Sequence, residues 1–316
     1  LDVGAFDTAP AGYEKLVDWA CSFGQLELAG VEGTGSYGAG LTRHLHAHGI
    51  AVVEVDRPNR QRRRLRGKSD PQDAISAARA AQGGDAKSVA KTRDGSVESL
   101  RVLRVARCSA RKAKAQALNQ MRTLVSTAPD EIRSELRRTT GKQLVARCSK
   151  FRRTGRTDPT SVTKITLRSL ARRINDLADE IAELDALIEP LANETAPALV
   201  ELTGVGPEIA SALLVAAGDN PERLRNEATF AHLCGVAPID ASSGKQERHR
   251  LNRGGDRQAN SALWRIVLTR LVYHPRTRDY LERRTNEGLS KKEAIRCLKR
   301  YVAREVFNQL PRERLA

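Results

Sequence analysis

The sequence has little of what marks membrane-spanning, secreted or base-stacking proteins. Its 316 residues contain no uninterrupted apolar run of about eighteen residues, so we expect no membrane-spanning helix. The five cysteines are scattered without a C-x-x-C pair, which argues against a zinc ribbon and suits reduced thiols in a cytoplasm better than secreted disulfides. Aromatic residues amount to 4%, which is too few for extensive base stacking.

Acidic residues are also in deficit. The chain holds 38 Asp and Glu against 54 Lys and Arg, which gives a formal net charge of +16 at pH 7. Hydrophobic residues make up 40% of the chain, enough to build folded cores, so global disorder is excluded. The partner that best matches a folded and strongly basic chain is a nucleic acid.

The length allows two or three domains, and the first of them has an alternating pattern. Helical spacing of apolar residues over 11–23 and 37–48 alternates with strand-like runs over 26–31 and 50–55. This rhythm predicts an α/β layer with parallel strands, which we place at residues 1–92.

The middle and the end of the chain have the pattern of helices. Neither Gly nor Pro occurs from Val97 to Val125, which predicts one long helix. A second helix carries an apolar heptad, which predicts a coiled coil within the chain or between subunits. The heptad positions are Leu167, Leu170, Ile174, Leu177, Ile181, Leu184, Ile188 and Leu191. We assign residues 93–195 to this region and 196–316 to a mostly helical C-terminal domain.

Three acidic residues could form a metal site. Glu32 follows an apolar run, and the carboxyl edge of an α/β sheet presents functional side chains at such a place. Asp70 and Asp73 open a predicted helix three residues apart and therefore share a face. Clustered carboxylates need a cation to stay ionised, and hard oxygen ligands suit Mg²⁺ or Mn²⁺. Alternatively, Asp70 before Pro71 is an N-cap and Asp73 complements the helix dipole.

Basic residues cluster beside these acids and again along the long helix. The stretch 57–68 holds seven cations and no acid, namely Arg57, Arg60, Arg62, Arg63, Arg64, Arg66 and Lys68. The long helix carries a stripe that we expect to follow a duplex or a folded RNA, comprising Arg101, Arg104, Arg107, Arg111, Lys112, Lys114 and Arg122. Charge runs are otherwise solvated surface, and the salt dependence of binding distinguishes the two interpretations.

Two glycine-containing segments near the C-terminus have two interpretations each. Gly204 and Gly206 before Pro207 form either the hairpin of a helix-hairpin-helix element, which holds phosphate oxygens, or an ordinary tight turn. Ser242-Ser243-Gly244 is typical of a turn, but a serine hydroxyl there could attack a phosphodiester if arginines stabilised the developing charge. The cations that follow in sequence are Lys245, Arg250 and Arg253.

Three histidines lie close together in sequence, at His44, His46 and His48. They fall within a predicted helix, where side chains two residues apart point in different directions. We therefore expect the three histidines to make a poor metal site. None of the cysteines has a neighbour that would mark it as a nucleophile.

Taken together, these motifs resemble those of the DEDD transposases of the insertion-sequence family one hundred and ten. The segments that carry the resemblance are Gly30 to Tyr37, Lys68 to Ala74, Leu202 to Pro207, Gly235 to Pro238, Ser242 to Lys245 and Asn252 to Asp256. They occur in the family's order over nearly the whole chain.

The resemblance implies an RNase H-like (RuvC-like) N-terminal domain, a coiled-coil insertion and a C-terminal transposase domain with a helix-hairpin-helix element. It assigns metal-binding and catalytic roles to Glu32, Asp70 and Asp73. The nucleophile it implies is Ser243, which precedes the glycine and would form a covalent phosphoserine link to DNA. It also implies double-stranded DNA and a structured noncoding bridging RNA as partners, and a homo-oligomer, dimer or tetramer, formed through the coiled coil.

The N-terminus departs from the family's pattern. The family begins with a strand that carries a further Asp well upstream of the position of Gly12, whereas eleven residues precede Gly12 here. Asp2 and Asp7 lie too close to the following helix, so we assign neither of them. Because the sequence also starts at Leu1 rather than Met, we expect the first strand and one of four metal ligands to be missing from this chain.

These features lead to three hypotheses. The first is a DNA transposase or recombinase in the bacterial cytoplasm, associated with the nucleoid. The second is a junction-resolving, metal-dependent nuclease, in which water attacks at the acids and Ser243 is only part of a turn. The third is a chain that binds nucleic acid without catalysis, because its metal site is incomplete. A covalent protein–DNA product would favour the first hypothesis, and magnesium-dependent strand transfer would exclude the third.

Overall fold

Helices dominate the computed structural model of the chain, which describes residues 2–55, 69–152, 155–244 and 249–312. Within these ranges the strands form a three-stranded and a two-stranded sheet. The chain divides into two compact units, one made of residues 1–98, 201–205 and 212–316, the other of residues 99–200 and 206–211. No helix in the described ranges has the length and apolar character needed to cross a membrane.

The N-terminal part of the first unit is the α/β layer that the sequence predicts. Its elements are α1 (Pro10–Cys21), β1 (Leu28–Glu32), α2 (Ala39–Ala47), β2 (Ala51–Val55), α3 (Asp70–Gln82) and β3 (Ser88–Val89). β1 and β2 pair in parallel, with Leu28 opposite Ala51 and Glu32 opposite Val55, and β3 joins β2 antiparallel. The predicted parallel pairing is therefore confirmed.

Apolar residues at alternating and helical spacing hold this layer together. Val17, Val31, Leu45 and Val52 belong to one buried cluster. Burying a side chain of this kind contributes about 1.5–3 kcal/mol. Gly30 has a different role, because a Cβ at this position would lie 2.7 Å from the carbonyl oxygen of Ala77. Only glycine therefore allows α3 to pack so closely on β1.

The start of α3 differs from the predicted N-cap. Ser69 has the extended backbone of an N-cap residue, with φ −146° and ψ 149°, and Asp70 is already the first helical residue, followed by Pro71. Asp70 therefore does not cap the helix. Asp70 and Asp73 instead place two carboxylates in its first turn, where the helix dipole favours negative charge.

The second unit is built largely on two long helices. Its elements are α4 (Ser96–Thr127), α5 (Asp130–Leu136), α6 (Gly141–Cys148), α7 (Pro159–Thr195) and α8 (Pro197–Val200). The continuity of α4 confirms the helix predicted over 97–125, a segment without the residues that break helices. Met121, Ile132, Leu144 and Leu167 lie in the buried core of this unit.

The apolar heptad on α7 is buried unevenly. Leu167, Ile174 and Ile188 are at most 5% exposed, whereas the heptad positions between 177 and 184 are half-buried. The first part of the heptad therefore packs in the core of its own unit. A coiled coil with a second chain along the middle of α7 stays a prediction.

Residues 201–312 are mostly helical, as predicted. They form α9 (Pro207–Ala217), a 3₁₀ turn (Pro221–Arg223), α10 (Glu227–Leu233), β4 (Ile239–Asp240), β5 (His249–Arg250), α11 (Arg257–Tyr273), α12 (Pro275–Asn286) and α13 (Lys291–Gln309). α13 packs against α10, α11 and α12. An ion pair of 2.6 Å between Arg270 and Glu305 joins α11 to α13.

Part of the N-terminal layer is bound to the C-terminal residues within the first unit. Asn220 Nδ2 donates a hydrogen bond of 3.0 Å to the carbonyl oxygen of Ala90. Asp219 Oδ1 accepts one of 2.9 Å from the backbone N–H of Val97. Both polar side chains are buried, and these bonds satisfy them. The division into three domains along the sequence stays a prediction.

Candidate functional site

An acidic cleft lies at the carboxyl end of β1. It has a volume of about 290 Å³ and is lined by Glu32, the last residue of β1, and by Asp73 from the first turn of α3. Asp7, in the segment before α1, and the fully exposed Tyr37 also line it. Residues from three separate parts of the layer thus line one cleft, at the edge where an open α/β sheet places its ligands.

Asp7 reaches the cleft because Gly12 has no side chain. A Cβ on Gly12 would lie 2.1 Å from the carbonyl oxygen of Asp7, so the chain folds back over α1 only with glycine at this position. Asp7 is not among the residues assigned from the sequence, because it lies few residues before α1. The signal was Gly12 itself, since a glycine inside a helix lowers stability unless a close backbone approach requires it.

Asp70 does not line this cleft and is exposed. Among the described acidic, histidine and cysteine residues, one group of three has its ligand atoms within 4.8 Å of one another, and it consists of Glu14, His44 and His48. The structure therefore brings Glu32 and Asp73 to one cleft, but it does not bring Glu32, Asp70 and Asp73 into one compact ligand set.

The most basic stretch of the sequence lies outside the described residues. This applies to Arg57, Arg60, Arg62, Arg63, Arg64, Arg66 and Lys68, and to Lys245 near the C-terminus. In sequence the stretch connects β2 to α3, the helix that supplies Asp73 to the acidic cleft. Its contact with nucleic acid stays a prediction.

The basic residues of α4 do not form the exposed stripe that their spacing predicts. The Arg104 side chain is 5% exposed, and its Nη1 donates to Glu208 Oε2 at 2.6 Å. Arg107 binds Asp185 on α7, a hydrogen bond that raises the pKa of the guanidinium, and lies 3.4 Å from Glu208. Of the predicted contacts, Arg101 is half-buried and Arg111 is exposed. The expectation that Arg104 belongs to an exposed stripe is wrong.

Gly204 and Gly206 form the turn before α9. Gly204 has a φ of +84°, which favours glycine, and a Cβ there would lie 3.3 Å from the carbonyl oxygen of Ile266. The first turn of α9 also carries the Glu208 carboxylate, which is paired with Arg104. A helix-hairpin-helix element would place a phosphate near this helix end, so phosphate binding by the two glycines stays a prediction.

The serine motif lies in the loop between β4 and β5. The hydroxyl and the backbone N–H of Ser242 donate to Asp240 Oδ1 at 2.5 and 2.9 Å, and these bonds hold the pKa of the Asp240 carboxyl below its usual value. Ser243 is exposed, and Gly244 after it has a φ of +58°. Ser242 therefore stabilises the turn, and Ser243 stands in the accessible position that a nucleophile requires.

The antiparallel strands β4 and β5 and the loop between them form a hairpin, here called the serine hairpin. Two glycine segments pack against each other beside it. A Cβ on Gly255 would lie 2.2 Å from the backbone nitrogen of Gly235, so the contact requires glycine at this point. Asn260 Nδ2 donates to the carbonyl oxygen of Gly235 at 3.1 Å, and Asp256 Oδ1 accepts from the backbone N–H of Ala259 at 2.8 Å. These contacts fix the segments that flank the serine hairpin.

A second, basic cleft lies between the hairpin and helices α12 and α13. It has a volume of about 510 Å³, and its lysine and arginine residues are Arg250, Arg283, Arg284, Arg296, Lys299 and Arg300. Glu293 is its one acidic lining residue among those described. Of these residues the sequence predicts only Arg250 as a nucleic-acid contact. The helical spacing of Arg296, Lys299 and Arg300 is the sequence signal for part of the remainder. Arg253 is exposed in the loop after β5.

The side chains of the basic cleft sit in different environments. Arg300 pairs with Glu227 at 3.0 Å, and Lys299 Nζ donates to Asn260 Oδ1 at 2.9 Å while burial lowers the lysine pKa. The rings of Tyr280 and Tyr301 meet edge to face at 5.6 Å, and burial raises the pKa of Tyr280 to about 12. Cations beside two aromatic rings can hold phosphates and stack a base.

Two family models match the chain, one over the acidic cleft and one over the serine hairpin. A transposase family model for DEDD transposases of IS110 matches residues 2–129, which include the acidic cleft. A second model, for the transposase IS116/IS110/IS902 family, matches residues 196–282, which include the serine hairpin. The chain belongs to the IS110 family of DEDD transposases. For the N-terminal residues, membership in the IS110 family implies an RNase H-like fold, with which the parallel β1–β2 pair agrees.

A curated relative supports the same family. The insertion element IS110 uncharacterized 43.6 kDa protein of Streptomyces coelicolor is 29% identical to this chain over 154 residues. The matched part covers 48% of this chain and 38% of the relative, so the chain spans well under two thirds of that relative's length. The resemblance stated from the sequence is thereby confirmed at the level of the family.

Proposed function

We propose that this IS110-family chain is a DNA transposase that moves an insertion sequence by cutting and rejoining DNA. The observation that carries the proposal is that each family match contains one half of the required chemistry. The N-terminal match contains a cleft with Glu32 and Asp73, and the C-terminal match contains an exposed Ser243. Phosphoryl transfer needs a nucleophile and charge stabilisation of this kind.

The acidic cleft fits a hard divalent cation such as Mg²⁺ or Mn²⁺. Glu32 and Asp73 offer carboxylate oxygens from two elements, and Asp7 lines the same cleft. Oxygen donors of this type are the ones that these ions prefer. When bound, the ion would polarise a phosphate oxygen. Asp70 remains a proposed ligand through the family resemblance alone, since it does not line the cleft.

Ser243 is the proposed nucleophile. Its Oγ forms an ester bond to a backbone phosphorus, the P–O bond to the departing strand breaks, and the proton of the serine ends on the released strand hydroxyl. Arg250 and Arg296 line the cleft beside the hairpin, where they would stabilise the negative charge that develops on the phosphate. Attack by a strand hydroxyl on the phosphoserine then rejoins the DNA and frees the serine.

The proposed partners are the DNA duplexes of the element ends and of the target, together with a structured noncoding RNA that bridges them. The net charge of +16 and the basic cleft support a polyanionic partner. The family resemblance supports the bridging RNA and a dimer or tetramer. The half-buried heptad positions between 177 and 184 on α7 offer a surface for such an oligomer.

A trapping experiment tests the role of Ser243. The full chain is incubated with labelled element-end DNA, the noncoding RNA and Mg²⁺, and is then denatured and examined for protein-linked DNA. Wild type is expected to give the adduct and Ser243→Ala none, because the nucleophilic oxygen is gone. Ser242→Ala is the matched control and retains the adduct, since the Ser242 hydroxyl is engaged with Asp240. Normal cleavage by Ser243→Ala would show that the serine is not the nucleophile.

The arrangement of the acids also supports a second function, nucleic-acid binding without catalysis. Glu32, Asp70 and Asp73 are not a compact ligand set in the described structure. A Mg²⁺ titration of strand transfer distinguishes the two functions, because a binding protein shows no metal-dependent product at any concentration. A junction-resolving nuclease would instead release cut DNA that carries no protein.

A further inference from the structure

We propose that Glu14, His44 and His48 form a zinc-binding site that ties α1 to α2. Glu14 lies on α1, and the two histidines lie four residues apart at the end of α2, which puts them on one face. One ligand atom from each residue lies within 4.8 Å of the other two. The sequence predicts that the three histidines diverge. His44 and His48, however, form an i, i+4 pair, and Glu14 on α1 lies beside them.

The distances match those between ligands of a tetrahedral metal site. Glu14 Oε2 lies 3.4 Å from His48 Nε2 and 3.8 Å from His44 Nε2. With zinc–ligand bonds of about 2.0–2.2 Å, two tetrahedral ligands stand about 3.3–3.6 Å apart. Zinc therefore needs only small side-chain movements to bind all three groups.

The hydrogen bonding of the histidines prepares them for a metal. His48 Nδ1 lies 2.9 Å from the carbonyl oxygen of His44 and donates to it, which leaves the lone pair of His48 Nε2 for a ligand bond. Metal-binding histidines commonly donate their other ring N–H in this way. His44 Nε2 is buried and makes no hydrogen bond within the described residues. A buried polar atom without a partner lowers stability, and a bound metal would supply that partner.

Zinc is the chemical class that this donor set selects. Two imidazole nitrogens and one carboxylate suit zinc, whereas magnesium prefers oxygen ligands throughout. None of the three residues lines the acidic cleft, so the site is separate from the proposed Mg²⁺ ligands. Val17 of α1 and Leu45 of α2 lie in one buried cluster, and zinc bound between these helices would stabilise the folded layer.

The test uses the full chain with Zn²⁺ alone, and with Co²⁺ as a spectroscopic probe of tetrahedral geometry. We expect one zinc per chain, a higher Tm with zinc, and reversal of that rise by a chelator. Glu14→Gln and His48→Gln should each weaken zinc binding at least about ten-fold, since each removes a ligand. Their side chains are 55% and 36% exposed, so both variants are expected to fold. His46→Gln, on another face of α2, is the matched control and keeps the affinity.

Three results would overturn the proposal. The first is the absence of stoichiometric zinc binding to the wild-type chain. The second is equal zinc affinity in wild type and His48→Gln, and the third is an equal loss of affinity in His46→Gln. The readouts are zinc affinity, the cobalt spectrum and Tm, so they are independent of whether the chain transposes DNA.

Discussion

The arginines of α4 and those of the basic cleft both lie in basic stretches of sequence, but Arg104 is buried against an acidic residue whereas Arg296 of the cleft is exposed. Arg104 and Arg107 meet Glu208 and Asp185 within the second unit. The basic cleft has six lysine and arginine residues and one acidic residue, Glu293, among its described lining. Burial against an acidic partner, more than the number of cations, therefore separates a structural arginine from a candidate for phosphate binding.

The physical basis of this difference is hydration. Burying the Arg104 guanidinium removes it from water at a cost of several kcal/mol, which is offset only while Glu208 stays bonded to it. Exposed cations such as Arg296 keep their water and counterions, which they can exchange for phosphates. We therefore expect different responses to mutation. Removing a buried arginine of α4 should lower stability, and removing an exposed arginine of the basic cleft should weaken nucleic-acid binding.

The largest effect is expected at Arg104. Arg104→Ala leaves the Glu208 carboxylate, which is 20% exposed, without its main partner and should lower the free energy of unfolding by about 3–5 kcal/mol. Arg111→Ala, at an exposed position of the same helix, is the matched control. It should change the free energy of unfolding by less than about 0.5 kcal/mol. Urea unfolding measures both. Equal stability of the two variants would show that the buried Arg104–Glu208 pair does not stabilise the fold.

An intermediate effect is expected in the basic cleft. Arg296→Ala should leave the free energy of unfolding within about 0.5 kcal/mol of wild type and weaken DNA or RNA binding. The slope of log affinity against log salt should become shallower by about 0.9, because one phosphate contact is lost. Arg278→Ala, exposed on α12 outside the cleft, controls for net charge. If both variants had the same slope, the cleft would not be the binding surface.

A pH-dependent effect is expected at Lys91, a cation whose hydrogen bond goes to a carbonyl oxygen. Lys91 Nζ donates to Val215 O at 2.6 Å, and burial, with Arg223 nearby, lowers the lysine pKa from 10.5 to about 8. Between these two pH values the unfolded chain binds more protons than the folded chain, so stability should rise as pH increases from about 8 towards 10.5. Urea unfolding across this window should show a smaller rise in Lys91→Met than in the exposed control Lys87→Met. An identical rise in both would exclude Lys91 as its source.

Local patterns predicted most of the secondary structure. The α/β layer follows from apolar alternation and helical spacing, and α4 follows from a segment without Gly or Pro. The start of α3 was less accurate, because Ser69 rather than Asp70 occupies the N-cap. Such boundaries depend on a few backbone angles that neighbouring residues can shift.

The candidate site was predicted only in part, because sequence shows which groups exist and not which ones meet. Glu32 and Asp73 share a cleft as their positions after a strand and at a helix start suggest, whereas Asp7 reaches it only through the close approach at Gly12. In the same way, Glu14 joins His44 and His48 because α1 packs against α2.

The sequence by itself determined the family, the charge and the order of the helices and strands, because these depend on composition and on short-range spacing. Only the tertiary structure decided which arginines pair with acids of their own chain, that Asp70 stays outside the acidic cleft, and that the basic residues of α12 and α13 line one cleft with Arg250. These outcomes depend on contacts between residues far apart along the chain. Desolvation and packing set such contacts, and neither is visible in a local pattern.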